Sequence, residues 1–198
     1  CKKSIEVELM RKSDILKAEL MKYFRYEKGM VFVCSEGINC SDINAINDKC
    51  LVEVEVKISK ADFRREFEAA TLNNGNYWKE KKHQFYAHPE QAFSSYKIPN
   101  KYYFCVPDEM AAWAMEYLKD KNPKYGLLAY DETLHKANKI KLLKGARQLQ
   151  KEPPSPLIWR MIGQRVTSEM ISLKVKCNEV LKELEAVKKG VLITEGVA

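Results

Sequence analysis

Two carboxylates and a lysine are grouped in the segment that runs from Asp42 to Lys57. Asp42 opens a short alternating run, and Glu55 and Lys57 end a second one, which reads LVEVEVK. The alternation predicts two strands, and the Asn-Asp-Lys sequence between them predicts the turn of a β-hairpin. Residues two apart share one face of a strand, so Asp42, Glu55 and Lys57 are expected to converge on one side of the hairpin. This grouping predicts a metal-dependent site that cleaves phosphodiester bonds.

The chemistry explains why these residue types are needed. Hydrolysis of a phosphodiester bond uses a divalent cation to polarise the phosphate and to generate hydroxide from water. Mg²⁺ takes oxygen ligands, commonly one or two carboxylates together with water. We therefore predict that Asp42 and Glu55 bind Mg²⁺ or Mn²⁺, with the carbonyl oxygen of Val56 as a further ligand. Lys57 is placed to orient the attacking water or to stabilise charge that builds on the phosphate.

A purely structural interpretation competes with this one. The valines at 52, 54 and 56 predict one buried face, and the charged residues between them also suit a face exposed to solvent. Glu53 competes with Glu55 for the same role. We choose Glu55 because it alone precedes a lysine by two residues.

The neighbouring elements follow from periodicity and capping residues. Residues 12–25 predict an amphipathic helix that Ser13 or Asp14 caps, and residues 30–35 predict a first strand. Ser59 and Asp62 form a capping box for a helix that extends to about residue 71. The NNGN sequence at residues 73–76 breaks that helix, and residues 77–99 are predicted as helix and loop. Strands are predicted at 101–106, 125–130 and 139–143, and Asp108 is predicted to cap a helix after the first of them.

The PPSP sequence at residues 153–156 predicts a boundary between a domain at 1–150 and a helical extension at 151–198. Ser155 can cap a helix that runs to about residue 189, with Pro156 in its first turn. Apolar residues then recur at spacings of four and three, a heptad pattern made by Val166, Met170, Leu173, Cys177, Val180, Leu184 and Val187. Either this helix packs against the core or another helix, or it forms a homodimer through a coiled coil.

Composition limits the classes of protein to which the chain can belong. Of its 198 residues, 45% are hydrophobic and 31% are charged, as in soluble globular proteins. No apolar run approaches the roughly 18 residues of a membrane span, and no signal peptide is recognised, so a cytoplasmic protein is expected. The net charge of +7 favours polyanionic partners.

The six cysteines form no CxxC pair, and reduced thiols are expected. A zinc site made of Cys34, Cys40, His83 and His88 has spacings that match no common pattern.

Basic residues near the predicted site favour a nucleic acid as substrate. Two groups of basic residues follow the motif, and the second alternates with aromatic residues. The candidates for nucleic-acid binding are Lys60, Arg64, Lys81, Lys82 and His83. Cations mixed with aromatic rings suit phosphate contacts and base stacking. A solvated helix face, with Trp78 and Phe85 in the core, explains the same pattern equally well, and a lone histidine is more often structural.

A family resemblance rests on four segments in this order: EVKISKADF, KKHQFY, IPNKYYFCVP and YGLLAYDE. They resemble the PD-(D/E)XK nuclease superfamily and, within it, the MmcB-like, restriction-endonuclease-like proteins of bacteria and phages. The resemblance covers roughly residues 12–145, and the segment from 72 to 99 departs from it by being longer and richer in lysine.

The resemblance implies a three-layer α/β fold with an αβββαβ core, a central mixed sheet and, here, a C-terminal helical extension. It implies that Asp42 and Glu55 bind Mg²⁺ or Mn²⁺ and that Lys57 assists catalysis. Such folds often add a glutamate from the first helix; Glu19 is the candidate, and Glu36 is its rival. The expected function is a nuclease that acts on DNA rather than RNA, in repair, restriction or processing. A catalytically inactive nucleic-acid-binding or assembly protein on the same fold is the alternative.

Overall fold

The computed structural model describes residues 2–68, 77–93, 96–134 and 139–195, with the side chains of 2–11, 40, 77–80 and 189–195 left out. In chain order its elements are α1 (Lys2–Lys22), β1 (Phe32–Ser35), β2 (Ile43–Ile46), β3 (Leu51–Val56), α2 (Lys60–Arg65), α3 (Tyr77–Ala87), β4 (Lys101–Pro107), α4 (Asp108–Leu118), β5 (Gly126–Tyr130), β6 (Ile140–Lys144) and α5 (Pro156–Glu195). A π-helical turn at Tyr23–Glu27 follows α1, and short 3₁₀ turns lie at Ile38–Cys40 and Pro89–Gln91.

The six strands form one mixed sheet in the order β1-β2-β3-β4-β5-β6. The first three strands are antiparallel, β4 and β5 run parallel to β3, and β6 is antiparallel to β5. Parallel neighbours need a crossover connection, which α2 and α3 provide between β3 and β4, and α4 provides between β4 and β5. The predicted mixed α/β class is therefore confirmed.

The predicted hairpin is confirmed as the β2–β3 pair. Asn44 lies opposite Glu53, and Ile43 lies opposite Val54. In the turn the side-chain oxygen of Asn47 accepts hydrogen bonds from the backbone N–H groups of Lys49 (3.0 Å) and Cys50 (2.9 Å). The side chain of an asparagine can thus accept hydrogen bonds from backbone N–H groups two and three residues ahead, where the chain reverses direction.

Each face of the sheet carries its own apolar core. On one face Leu16 and Leu20 of α1 pack against the valines of β3. On the other face α2, α3 and α4 pack against β4 and β5, with Phe63, Tyr86 and Phe104 in the interior. Helices therefore cover both faces of the sheet. Glu53, Glu55 and Lys57 belong to the second of these faces, because they alternate with the valines.

The first helix differs from the prediction. Ser13 and Asp14 were expected to cap it, but α1 begins at Lys2 and runs through both residues, so that prediction is wrong. The physical reason is the preceding sequence KKSIEVELMRK, which contains no glycine or proline and continues the helix towards the N-terminus. The predicted cap at Ser59 is confirmed, since its hydroxyl accepts from the N–H of Asp62 at 3.1 Å. The helix that it caps, α2, ends at Arg65, and residues 69–76 lie outside the described part.

Among its described side chains, the long C-terminal helix contacts the sheet between Ile158 and Glu169. Ser155 caps it by accepting from the N–H of Ile158 at 3.4 Å. Ile158 and Ile162 are buried against Cys34, Ile46 and Leu51, whereas every residue from 170 to 188 is exposed. Neither this nor any other helix in the described ranges is both long and apolar enough to cross a membrane.

Asn100 connects the start of this extension to the sheet. Its side-chain oxygen accepts from the N–H of Leu51 at 2.7 Å, and its amide nitrogen donates to the carbonyl oxygens of Gln150 (3.2 Å) and Glu152 (2.7 Å). The residues on both sides of the proposed 150/151 boundary are thus held by one buried side chain.

Candidate active site

The C-terminal end of β3 places Glu55 and Lys57 beside β4. The N–H of Lys57 donates to the carbonyl oxygen of Cys105 at 2.9 Å, so the β3–β4 ladder continues to this residue. Glu55 is 6% exposed and Lys57 is 4% exposed. The interpretation of Glu53, Glu55 and Lys57 as a solvated face is therefore wrong, because helices cover the face on which they lie.

Asp42 reaches the same strand end from β2. One carboxylate oxygen accepts from the N–H of Val56 at 2.8 Å, and the other pairs with Lys17 Nζ at 2.8 Å. The side chains of Asp42 and Lys17 are 23% and 22% exposed. Asp42 is therefore fixed to the residue between Glu55 and Lys57, at the rim where solvent reaches the site.

Four charged side chains form a closed, buried ring behind Asp42. Lys82 Nζ lies 2.6 Å from Glu55 Oε1 and 2.9 Å from Glu66 Oε1. Lys57 Nζ lies 2.8 Å from Glu66 Oε2 and 3.6 Å from Glu55 Oε2. Each carboxylate contacts both ammonium groups, and the two positive charges balance the two negative ones. We refer to Glu55, Lys57, Glu66 and Lys82 as the charge ring.

The pKa values in the ring reflect burial opposed by these partners. Burial alone would lower the pKa of Lys57 and of Lys82, but the adjacent carboxylates raise both overall. Burial would raise the pKa of Glu66, but its hydrogen bond with His83 and the charges of Lys82 and Lys57 lower it overall. For Glu55, burial raises the pKa and the charge of Lys82 opposes the rise. Both lysines therefore carry a full charge at neutral pH.

His83 on α3 supports the ring by contacting both Glu66 and Tyr125. Its Nε2 lies 3.3 Å from Glu66 Oε1 and its Nδ1 lies 2.7 Å from the hydroxyl of Tyr125. Burial lowers the pKa of His83, so the imidazole is neutral at pH 7. Because ionised Glu66 can only accept, Nε2 carries the proton and Nδ1 accepts from Tyr125. The ring of His83 also stacks on Phe67 at 4.6 Å between centroids.

Glu53 lies next to the charge ring in a different environment. One oxygen accepts from the Tyr86 hydroxyl at 2.8 Å and from the Asn39 amide at 3.3 Å. The other, Oε1, is buried and has no hydrogen-bond partner within the described residues. Burial raises the pKa of Glu53 to about 8, so this carboxyl is largely protonated at pH 7. A neutral Glu53 leaves the charge balance of the ring intact.

Asp42 at the rim and Glu55 in the charge ring offer the carboxylate oxygens that a divalent cation with few protein ligands would use. Asp42 immediately precedes β2, Glu55 lies on the neighbouring β3, and the charge of Asp42 acts on Glu55. Within the described ranges no three His, Cys, Asp or Glu side chains are arranged to hold a metal ion. Mg²⁺ is commonly bound by one or two carboxylates with several waters. The oxygen donors of Asp42 and Glu55 match that preference, although each now pairs with a lysine.

The two candidates for an additional glutamate occupy different surroundings. Glu19 pairs with Lys22 at 2.7 Å on α1. Glu36 is exposed, bonds Arg165 of α5 at 3.0 Å, and its charge acts on Lys17. Since Lys17 is the partner of Asp42, Glu36 is electrostatically connected to the rim.

The candidates for nucleic-acid binding separate into surface and interior residues. Lys60 and Arg64 lie over the ring of Trp113, at 5.6 and 5.5 Å from its centroid. Lys81 donates to Gln84 at 3.1 Å on α3. Lys82 and His83 instead point inward, as members or neighbours of the charge ring.

Lys17 and Glu66 are site residues that sequence reasoning missed. Glu66 is three residues beyond the buried Phe63, so its carboxylate lies on the apolar side of α2. Lys17 lies three residues before the buried Leu20 on α1. A charged residue on an otherwise apolar helix face is the signal that would have found both.

Comparisons with protein-family models, with curated proteins and with solved structures found no match to this chain.

Proposed function

We propose that this chain is a metal-dependent nuclease that hydrolyses phosphodiester bonds, with DNA as the favoured substrate. The observation that carries the proposal is the hydrogen bond from the N–H of Val56 to Asp42, which fixes one carboxylate at the residue that separates Glu55 from Lys57 in the sequence. An acidic residue that precedes β2 is thus held at the E-x-K sequence at the end of β3. The order of three antiparallel strands followed by a parallel β4 supports a restriction-endonuclease-like core and the PD-(D/E)XK resemblance.

Asp42 and Glu55 are the residues that would hold Mg²⁺ or Mn²⁺. When bound there, the cation would polarise the phosphate and lower the pKa of a water. Lys57 would contact the phosphate or the attacking water, with its Nζ held in place by Glu66. Glu66 and His83 act as positioning residues, because Glu66 holds both lysines and His83 holds Glu66.

The charge ring and the rim of the site differ in their exposure to solvent, and the difference indicates where a substrate would enter. The charge ring is at most 6% exposed at each residue, whereas Asp42 and Lys17 are open at the rim. A phosphate that enters there meets the ammonium group of Lys17 first. We expect Lys17 to help bind the substrate. When a cation binds to Asp42, it should replace Lys17 as the partner of that carboxylate.

A cleavage assay tests the proposal. The wild type should cleave single- or double-stranded DNA, or RNA, with Mg²⁺ or Mn²⁺, and EDTA should abolish the activity. Asp42→Asn keeps the acceptor for the N–H of Val56 and removes the charge, so we expect a folded protein without cleavage. Glu116→Gln removes an exposed carboxylate on α4 and should cleave like the wild type. An inactive wild type, or an active Asp42→Asn variant, would overturn the proposal.

One observation favours a second candidate function, binding without cleavage. The charge ring is electrically neutral and each of its members is paired, so Glu55 already has a cation in the ammonium group of Lys82. A protein of this kind would bind nucleic acid at the rim and leave it intact. Fluorescence anisotropy separates the two: binding that weakens with added salt, beside no product with any metal, would identify the binding protein.

A further inference from the structure

The distal half of α5 is a helix that no other part of the described chain covers. All residues from 170 to 188 are exposed, including Met170 at 63% and Leu173 at 61%. Most of the stability of a helix in a protein comes from the packing of its amphipathic face rather than from helix propensity. An apolar stripe on such a helix is normally buried against another element.

The apolar stripe has the spacing of a two-helix seam. Six residues recur at intervals of three and four: Met170, Leu173, Cys177, Val180, Leu184 and Val187. This set is also self-complementary when one helix is reversed against a copy of itself. Met170 then stands opposite Val187, Leu173 opposite Leu184, and Cys177 opposite Val180. A two-fold axis generates each of these pairs twice, as in an isologous interface.

The attachment of α5 to the sheet decides the direction of the partner helix. Ile158, Ile162 and Val166 contact the sheet, and the same stripe continues from Val166 into the seam. A partner helix must therefore lie on the side of α5 that carries its own domain. In a parallel, in-register pair, the first turns of the partner would occupy the space that the sheet fills. In an antiparallel pair the two domains lie at opposite ends.

Charge and surface shape agree with the antiparallel arrangement. Lys176 precedes the seam residue Cys177, and Glu183 precedes Leu184. In the reversed register these flanking positions face one another, so two Lys176–Glu183 pairs form across the axis. Beside Val166, a groove is lined by Met21, Tyr26 and Val31 together with Lys22 and Arg25, and the end of the partner helix would arrive there.

We propose that this chain forms an antiparallel homodimer through residues 170–187 of α5. Full-length protein should have the mass of a dimer in light scattering. Leu173→Glu and Leu184→Glu should each produce a monomer. Ile171→Glu is the matched control, because Ile171 is 61% exposed and lies on the opposite side of the helix. A monomeric wild type, or a dimer that survives both seam substitutions, would overturn the proposal.

Cysteine crosslinking tests the direction of the helices. In the Cys177→Ser background, a mixture of the Leu173→Cys and Leu184→Cys proteins should form a mixed disulfide under mild oxidation. Either protein alone should form no disulfide. Residue 173 of one helix lies level with residue 184 of the other, so the two copies of residue 173 are roughly 16 Å apart along the helices, and so are the two copies of residue 184. A disulfide requires Cα atoms within about 7 Å. The Cys177→Ser protein sets the background from the other cysteines, and crosslinking of a single variant with itself would contradict the antiparallel arrangement.

Charge reversal gives an independent test of the register. Lys176→Glu should weaken the dimer, and the double variant Lys176→Glu/Glu183→Lys should restore it. A parallel dimer would bring Lys176 next to Leu181 instead, so the double variant would not recover. Failure of recovery would therefore contradict the proposed register even if the protein is dimeric.

Discussion

Four charged side chains can be buried at one point only when each charge meets an opposite one. Removing a charged group from water costs several kcal/mol, and an unpaired partner left behind is more costly than the pair. In the charge ring each carboxylate contacts two ammonium groups. Glu66 is fully buried and, unlike Glu55, does not belong to the predicted metal-binding pair. It is therefore the position where the energetic role of the ring can be measured apart from cation binding.

Glu66→Gln should destabilise the protein by about 3–5 kcal/mol, because it leaves two buried lysines with one carboxylate. Urea denaturation followed by circular dichroism measures the change. Glu116→Gln removes one partner of an exposed pair with Lys119 and should change the free energy of unfolding by less than about 1 kcal/mol. Equal effects of the two substitutions would contradict the role assigned to burial.

The raised pKa of Glu53 predicts how the free energy of unfolding depends on pH. Burial raises its pKa from 4.5 to about 8, so the folded protein keeps a proton that the unfolded chain loses. The free energy of unfolding should therefore fall as pH rises from about 4.5 to about 8, by at most about 1.4 kcal/mol per pH unit from this group. Glu53→Gln removes that dependence.

Urea denaturation of wild type and Glu53→Gln in EDTA, at several pH values, measures the difference. The variant should gain stability relative to the wild type through this window, and the gain should level off above about pH 8. Other titrating groups are common to both proteins and cancel. A difference that stays constant between pH 5 and pH 8 would show that Glu53 is ionised in the folded state.

At the scale of elements, the hairpin could be predicted because the period of a strand is fixed at two residues. Val52, Val54 and Val56 required a single buried face, and that placed Glu55 and Lys57 together. The start of α1 could not be found in the same way, since Ser13 and Asp14 favour a cap but also tolerate the interior of a helix. The capping preference of Ser13 and Asp14 predicted the wrong start for α1, because the residues before Ser13 continue the helix.

The loop between β1 and β2 sets the position of Asp42. The backbone N–H of Ile38 donates to Asn44 Oδ1, and Asn44 also donates to the Ser41 hydroxyl at 2.6 Å. Gly37 passes so close that an added Cβ would lie 2.2 Å from Asn44 Oδ1. The loop therefore requires a residue without a side chain at this position.

Gly37→Ala should destabilise the protein by about 1–3 kcal/mol, because Asn44 must move to admit the methyl group. If the loop shifts, Asp42 moves with it, so cleavage should decrease as well. Gly145→Ala is the matched control, since a Cβ there meets nothing within 4 Å. Chemical denaturation compares the two variants, and an equally stable Gly37→Ala protein would contradict the packing argument.

For the whole molecule, the convergence of distant helices was beyond prediction from sequence. Side chains from three separate parts of the chain lie near the end of β3: Lys17 from α1, Glu66 following α2 and Lys82 from α3. They come together because α1 covers one face of the sheet and the crossover with α2 and α3 covers the other. Lys82 illustrates the difficulty, since its place in a basic run favoured a surface role. Its three- and four-residue spacing to the buried Phe85 and Tyr86 indicated the interior, but no local rule decides between the two.

The two halves of α5 should contribute unequally to the stability of the sheet. Ile162 is fully buried against the sheet, so Ile162→Ala should cost about 2–5 kcal/mol. A chain that ends at residue 169 loses a segment whose described side chains, from 170 to 188, are exposed, so its sheet should unfold at nearly the same urea concentration as that of a monomeric Leu173→Glu variant. Near-ultraviolet circular dichroism follows the sheet in all three proteins. If truncation destabilised the sheet as much as Ile162→Ala does, the distal half of α5 would have to contact the domain, and the seam would no longer be free for a second copy.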